Sequence, residues 1–136
     1  MALVTSNLGE LELLDKMLKD ALSSDEDYIL KLYSNDYTPD QAAVNASFTE
    51  ANFTNYAAAT LTRAGWSSAA TVSNKAESSY ATQSWTCGAT GNTLYGYYVE
   101  NPSGTVLWAE KFAVSRTLAD GDILNLTPKF SLNSEN

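Results

Sequence analysis

Thr93-Leu-Tyr-Gly-Tyr-Tyr-Val-Glu-Asn-Pro-Ser-Gly-Thr-Val-Leu-Trp-Ala-Glu-Lys-Phe112 decides the fold class. Residues 93–100 and 105–112 are rich in aromatic and β-branched side chains, which suit a pleated, half-buried surface. Asn101-Pro-Ser-Gly104 between them is a four-residue loop of the kind that closes a hairpin. Two antiparallel strands are therefore expected, with Tyr95, Tyr97 and Val99 in one phase of the first.

Working outward, the same pattern of short β-forming runs between turn signals recurs. Toward the C-terminus, residues 119–122 form a turn and residues 122–132 read as one strand, with Leu124, Leu126, Phe130 and Leu132 in one phase. Pro128 in that run argues for a sheet edge or a bulge, because it cannot donate to a ladder. Toward the N-terminus, residues 79–86 alternate, and Gly88-Ala-Thr-Gly-Asn92 follows them as a turn. Strands are also expected over residues 57–63, 69–73 and 27–34, with a turn at Gly65-Trp-Ser-Ser68. Residues 35–40 break the earliest of these runs, since Asn and Asp side chains bond nearby backbone and Pro39 has no N–H. Residues 41–56 show no clean period and read as a long loop with a short helical turn.

Only residues 8–22 carry helical spacing, with Leu11, Leu14, Leu18 and Leu22 on one face. Ser6 or Asn7 can cap this helix, and Glu12 with Lys16 and Asp15 with Lys19 are favourable four-residue pairs. The expected architecture is mainly β: an antiparallel β-sandwich, jelly-roll-like, with an N-terminal α-helix. Residues 1–24 form the arm and helix, and residues 25–136 the β-sandwich domain.

Composition narrows the function classes. With 8 Lys and Arg against 16 Asp and Glu, the formal net charge is -8. An acidic chain is poorly suited to neutralising nucleic-acid phosphates or meeting an anionic membrane surface. No His is present, and Cys87 is the single cysteine. An internal disulfide, Cys/His metal ligation and the His-dependent nucleophile triads are therefore unavailable. No stretch approaches the ~20 apolar residues of a membrane-crossing helix, and residues 1–7 lack the pattern of a cleaved leader, so the mature chain is expected to begin near Met1. The three Asn-X-Ser/Thr sequons, at Asn45, Asn52 and Asn125, read as coincidence in a chain rich in these residues. No cofactor is expected.

Each candidate site has a plain structural alternative. Asp25-Glu-Asp27 and the pair Asp120 and Asp122 could gather calcium ligands, but neither has EF-hand spacing, and solvated turn charges are the simpler reading. Glu100 and Glu110 could form a two-carboxylate glycosidase site, as on a jelly-roll hydrolase or lyase. The hairpin register, however, sets them far apart and leaves Glu110 as a rim or interface charge. Cys87 has no adjacent base and reads as an inert buried thiol. Trp85 and Trp108 are assigned to the core. Tyr95 and Tyr97, in one phase, belong together either to an inner face or to a binding or oligomer face, where aromatic rings could stack a glycan. Leu3, Val4, Leu8 and Leu11 belong either to a cap over the sandwich or to an arm docked on a neighbouring subunit. The partner-binding candidates are thus Leu3, Val4, Leu8, Leu11, Tyr95, Tyr97 and Glu110.

Five stretches carry a family resemblance. They are Tyr28-Ile-Leu-Lys-Leu-Tyr-Ser-Asn-Asp-Tyr-Thr-Pro39, Phe48-Thr-Glu-Ala-Asn-Phe-Thr54, Leu61-Thr-Arg-Ala-Gly-Trp66, Ser84-Trp-Thr-Cys-Gly88 and Gly121-Asp-Ile-Leu-Asn-Leu-Thr-Pro128. Together they resemble small structural virion proteins of tailed bacteriophages, encoded near capsid genes. The resemblance spans most of the chain after residue 8 and brings no catalytic residues with it. It implies a capsid decoration or cement protein outside a phage head, made in the host cytoplasm, homo-oligomeric and partnered with the major capsid protein. A tail or fibre component with a glycan-binding face is the alternative it leaves open.

Overall fold

Strand pairing in the computed structural model, which describes residues 3–9, 26–73 and 75–132, is antiparallel throughout. In chain order the strands are β1 (Val4–Thr5), β2 (Tyr28–Tyr33), β3 (Ala59–Leu61), β4 (Ala70–Val72), β5 (Lys75–Ser79), β6 (Gln83–Thr86), β7 (Thr93–Glu100), β8 (Val106–Thr117), β9 (Ile123–Leu126) and β10 (Lys129–Leu132). The chain is mainly β, as its sequence pattern predicts. One sheet runs β1-β8-β7-β2-β3, and two smaller ones run β10-β5-β4 and β6-β9.

The hairpin is the spine of the large sheet, and its turn explains its register. Gly104 N–H donates to the Asn101 carbonyl at 2.9 Å, and Gly104 takes φ +86°, where a side chain would be strained. The Asn101 side-chain oxygen accepts from Ser103 and Thr105 N–H at 3.0 and 2.9 Å, fixing the loop from inside. Just beyond the turn, β8 holds one extra residue, because Val99 pairs with Trp108 while Glu100 pairs with Val106. This bulge turns Leu107 and Trp108 toward the same core, with Val106 and Ala109 on the opposite side.

Both faces of the large sheet are covered. The first packs Leu30, Leu32, Val99 and Trp108 against Trp85 and Leu124 of β6 and β9, with Phe130 of β10 alongside, giving a sandwich-like arrangement. The second is covered by the loop after β2, where Phe48 stacks on Tyr98 at 4.4 Å and meets Tyr33 and Tyr37. That loop holds its shape through side-chain-to-backbone bonds. Asn35 donates to the Ser47 carbonyl at 3.0 Å and accepts from Thr49 N–H at 2.8 Å. A 3-10 turn at Asn45–Ser47 matches the short helical turn expected there.

The sequence reading needs correction at three places. The strand expected over residues 79–86 is shorter: only Gln83–Thr86 form β6, Ser79 ends the unforeseen β5, and Tyr80 between them bridges Trp66. Residues 122–132 divide into β9 and β10 around Pro128. Its carbonyl accepts from Tyr80 N–H at 2.8 Å, so the chain leaves one small sheet and enters the other on both sides of that bond. β8 also runs to Thr117, five residues past the expected end. The expected N-terminal helix opens with residues 7–9 helical and Ser6 as its cap, accepting from Gly9 N–H at 2.9 Å. Beyond residue 9 the expected helix lies outside the described residues.

Candidate contact surface

The partner-binding candidates separate into three environments. Val4 pairs with Ala109 on β8, and the neighbouring Leu3 packs half-buried against the first core. Leu8 is exposed, and Leu11 lies outside the described residues. β1 stays beside β8 because Ser6, itself buried, donates to the Val106 carbonyl at 2.5 Å.

The two tyrosines do not share a face. Leu94 pairs with Arg116 and Gly96 with Lys111, so four residues of β8 stand opposite Tyr95 alone. This irregularity resets the alternation: Tyr95 packs on the second core beside Tyr98, whereas Tyr97 belongs to the first. Tyr97 is 3% exposed, so its ring is taken up by the interior and is no stacking platform. Its hydroxyl donates to Glu110 Oε2 at 3.0 Å, directly across the strand pair. Burial and then the Glu110 charge push the Tyr97 phenol well above the ordinary tyrosine range.

Glu100 and Glu110 face opposite sides of the sheet and flank no common cleft. Glu100 is 4% exposed and meets Lys31 Nζ at 2.6 Å, and it accepts a short hydrogen bond from the Asn45 side chain. Glu50 adds a second carboxylate 3.5 Å from Lys31 and accepts from the Tyr56 hydroxyl at 3.1 Å. Burial pulls the Lys31 ammonium down, but Glu100 and Glu50 outweigh it, and the net shift is upward. Sequence reasoning missed this network. Lys31, Glu50 and Glu100 come from β2, its covering loop and the end of β7, and no local spacing links them.

The remaining candidates are structural where they are described. Cys87 is 1% exposed, and burial followed by the charges of Asp120 and Asp122 pushes its thiol up, away from the reactive thiolate. Asp122 accepts from Ala119 N–H at 2.9 Å and so closes the turn before β9. Among the described residues no group of three or more His, Cys, Asp or Glu could hold a metal ion. Trp85 donates from its indole to the Ala57 carbonyl at 2.8 Å, and Trp108 sits among Tyr28, Trp66 and Phe130.

Among the described residues the large apolar side chains that face solvent are scattered singly: Leu8, Val44, Val72, Val114, Ile123 and Leu132. Among the described residues, open grooves flank the sandwich. One, of about 380 Å³, lies between residues 55–59 and β6, and another, of about 330 Å³, between the outer half of β8 and β9. No helix among the described residues is long and apolar enough to cross a membrane. No protein-family model matches this sequence, and no curated protein matches it.

Proposed function

We propose that this protein is a structural virion component, a decoration or cement protein that binds the outside of a phage head as a homo-oligomer and stabilises it. The observation that carries the reading is where the chemically capable groups lie. The Tyr97 hydroxyl, Lys31 with Glu100 and Glu50, and the Cys87 thiol are committed to contacts inside the fold. The surface offers strand edges and isolated apolar side chains instead. A protein that works by fitting a seam between shell subunits needs this combination: a scaffold stiffened on both faces and edges able to add strands. Weak individual contacts then suffice, because a lattice presents many sites at once. The net charge of -8 suits positive patches on a shell exterior and keeps decorated particles apart. The phage resemblance of residues 28–39 and 121–128 supplies the particle.

The test is co-sedimentation. Purified protein mixed with heads that lack it is expected to pellet with them and to raise the temperature at which they open. Protein that stays in the supernatant, and is missing from assembled heads, overturns the reading.

A further inference from the structure

The outer edge of β8 is covered for only part of its length. β1 pairs with it at Trp108 and Ala109 and no further. On the inner side β7 resumes pairing only at Arg116 and Thr117, after the four residues that face Tyr95. Residues 112–117 therefore present an extended edge with no outer strand partner among the described residues, and Val114 on it is 71% exposed. An edge of this kind is a template for another strand.

The side chains indicate which strand it fits. Glu110, Phe112, Val114 and Arg116 alternate along β8 and, together with Ala113, line the groove beside β9. Lys111 is drawn to the other side by Asp36 at 2.5 Å. Arg116 is exposed and has no ionic partner among the described residues. We infer that the occupant is a second copy of this chain, with β8 pairing antiparallel to β8 about a twofold axis at Val114. In that register Val114 meets its own copy, and Phe112 lies opposite Arg116 of the copy. Glu110 is then the diagonal neighbour of that same arginine, within reach of so long a side chain. An acid at one end of the stripe and a base at the other make it complementary to itself when reversed, as a twofold interface requires. The guanidinium gains both an aromatic face and a carboxylate. The register also stops short of Ala109, so β1 keeps its place.

This pairing rests on the homo-oligomer part of the proposed function and not on the particle. Sedimentation equilibrium of the full chain is expected to give twice the chain mass at high concentration. Arg116→Glu, which sets two carboxylates together at each end, is expected to give the single-chain mass at the same concentration with an unchanged circular dichroism spectrum. On mild oxidation Val114→Cys is expected to form a disulfide-linked dimer, and Ser115→Cys, one residue off the axis, to remain single. A native chain that is monomeric at every concentration overturns the pairing, as does an Arg116→Glu variant that dimerises as well as the native chain. Equal cross-linking at positions 114 and 115 also overturns it. Head binding by a monomeric native chain would sink the pairing alone, whereas a native dimer that ignores the heads would sink only the capsid reading.

Discussion

Lys31 is the residue on which the second face of the sheet depends electrostatically. Its ammonium bridges buried Glu100 and half-exposed Glu50, and Asn45 completes the coordination of Glu100. Removing one partner of a buried ion pair strands the other charge, which costs about 3 to 5 kcal/mol. Lys31→Met is expected to lower stability by about that much, read from the urea midpoint at constant slope. Glu100→Gln keeps a hydrogen-bond acceptor and should cost less, about 1 to 3 kcal/mol. The pH dependence has a definite sign. Lys31 has a folded value above the ordinary 10.5, and Tyr33, Tyr56, Tyr97 and Tyr98 all lie above the ordinary 10.0. A raised folded value means the native chain holds its proton more tightly than the unfolded chain does. The contribution is therefore complete below the unfolded value and is lost as pH rises through the folded one. Urea midpoints should hold level from neutral pH to about 9, where the raised Cys87 thiol begins to count, and fall more steeply above about 10, more so in the native chain than in Lys31→Met.

At the scale of elements, the hairpin and the loop that covers it set different tolerances. Gly104→Ala meets no atom but keeps a positive φ, so its cost should be about 1 to 2 kcal/mol of backbone strain. Gly96→Ala should be far worse, because a Cβ there collides with the Glu110 carbonyl and the Tyr33 ring, and soluble expression is the direct readout. Phe48→Ala removes the ring stacked on Tyr98 and should cost about 3 to 5 kcal/mol by urea denaturation. The hairpin was legible in the sequence because a turn signal and two dense β-forming runs coincide, and β7 has the expected bounds, Thr93–Glu100. β5 was not legible: Lys-Ala-Glu-Ser-Ser has no apolar alternation, and its strand state comes from pairing with β4 and β10. The separation of Tyr95 from Tyr97 was hidden as well, since it arises from extra residues in the partner strand. Of the candidate surface, the sequence located Glu110 but gave no sign that the open edge begins beside it, because that depends on where β1 stops.

At the scale of the whole molecule, the strand order of the large sheet places early and late parts of the chain side by side. β1 and β2 come first in sequence, yet each needs the hairpin as its neighbour, β1 along β8 and β2 along β7. During synthesis β2 can pair with β3 early, but it cannot meet β7 until residues 93–100 have left the ribosome, nor β1 meet β8 until residues 108 and 109 have, so Leu30 and Leu32 lack their β7 neighbours until then. The hairpin, closed by its own local turn, is expected to form first and receive the others, and pairing across such long sequence separations is expected to slow folding. Weakening the turn with Asn101→Ala should retard refolding in stopped-flow fluorescence and leave unfolding nearly unchanged, whereas Phe48→Ala should mainly hasten unfolding. A chain released before the hairpin emerges would expose β2 to other chains, so yield should depend on how quickly β7 and β8 follow it.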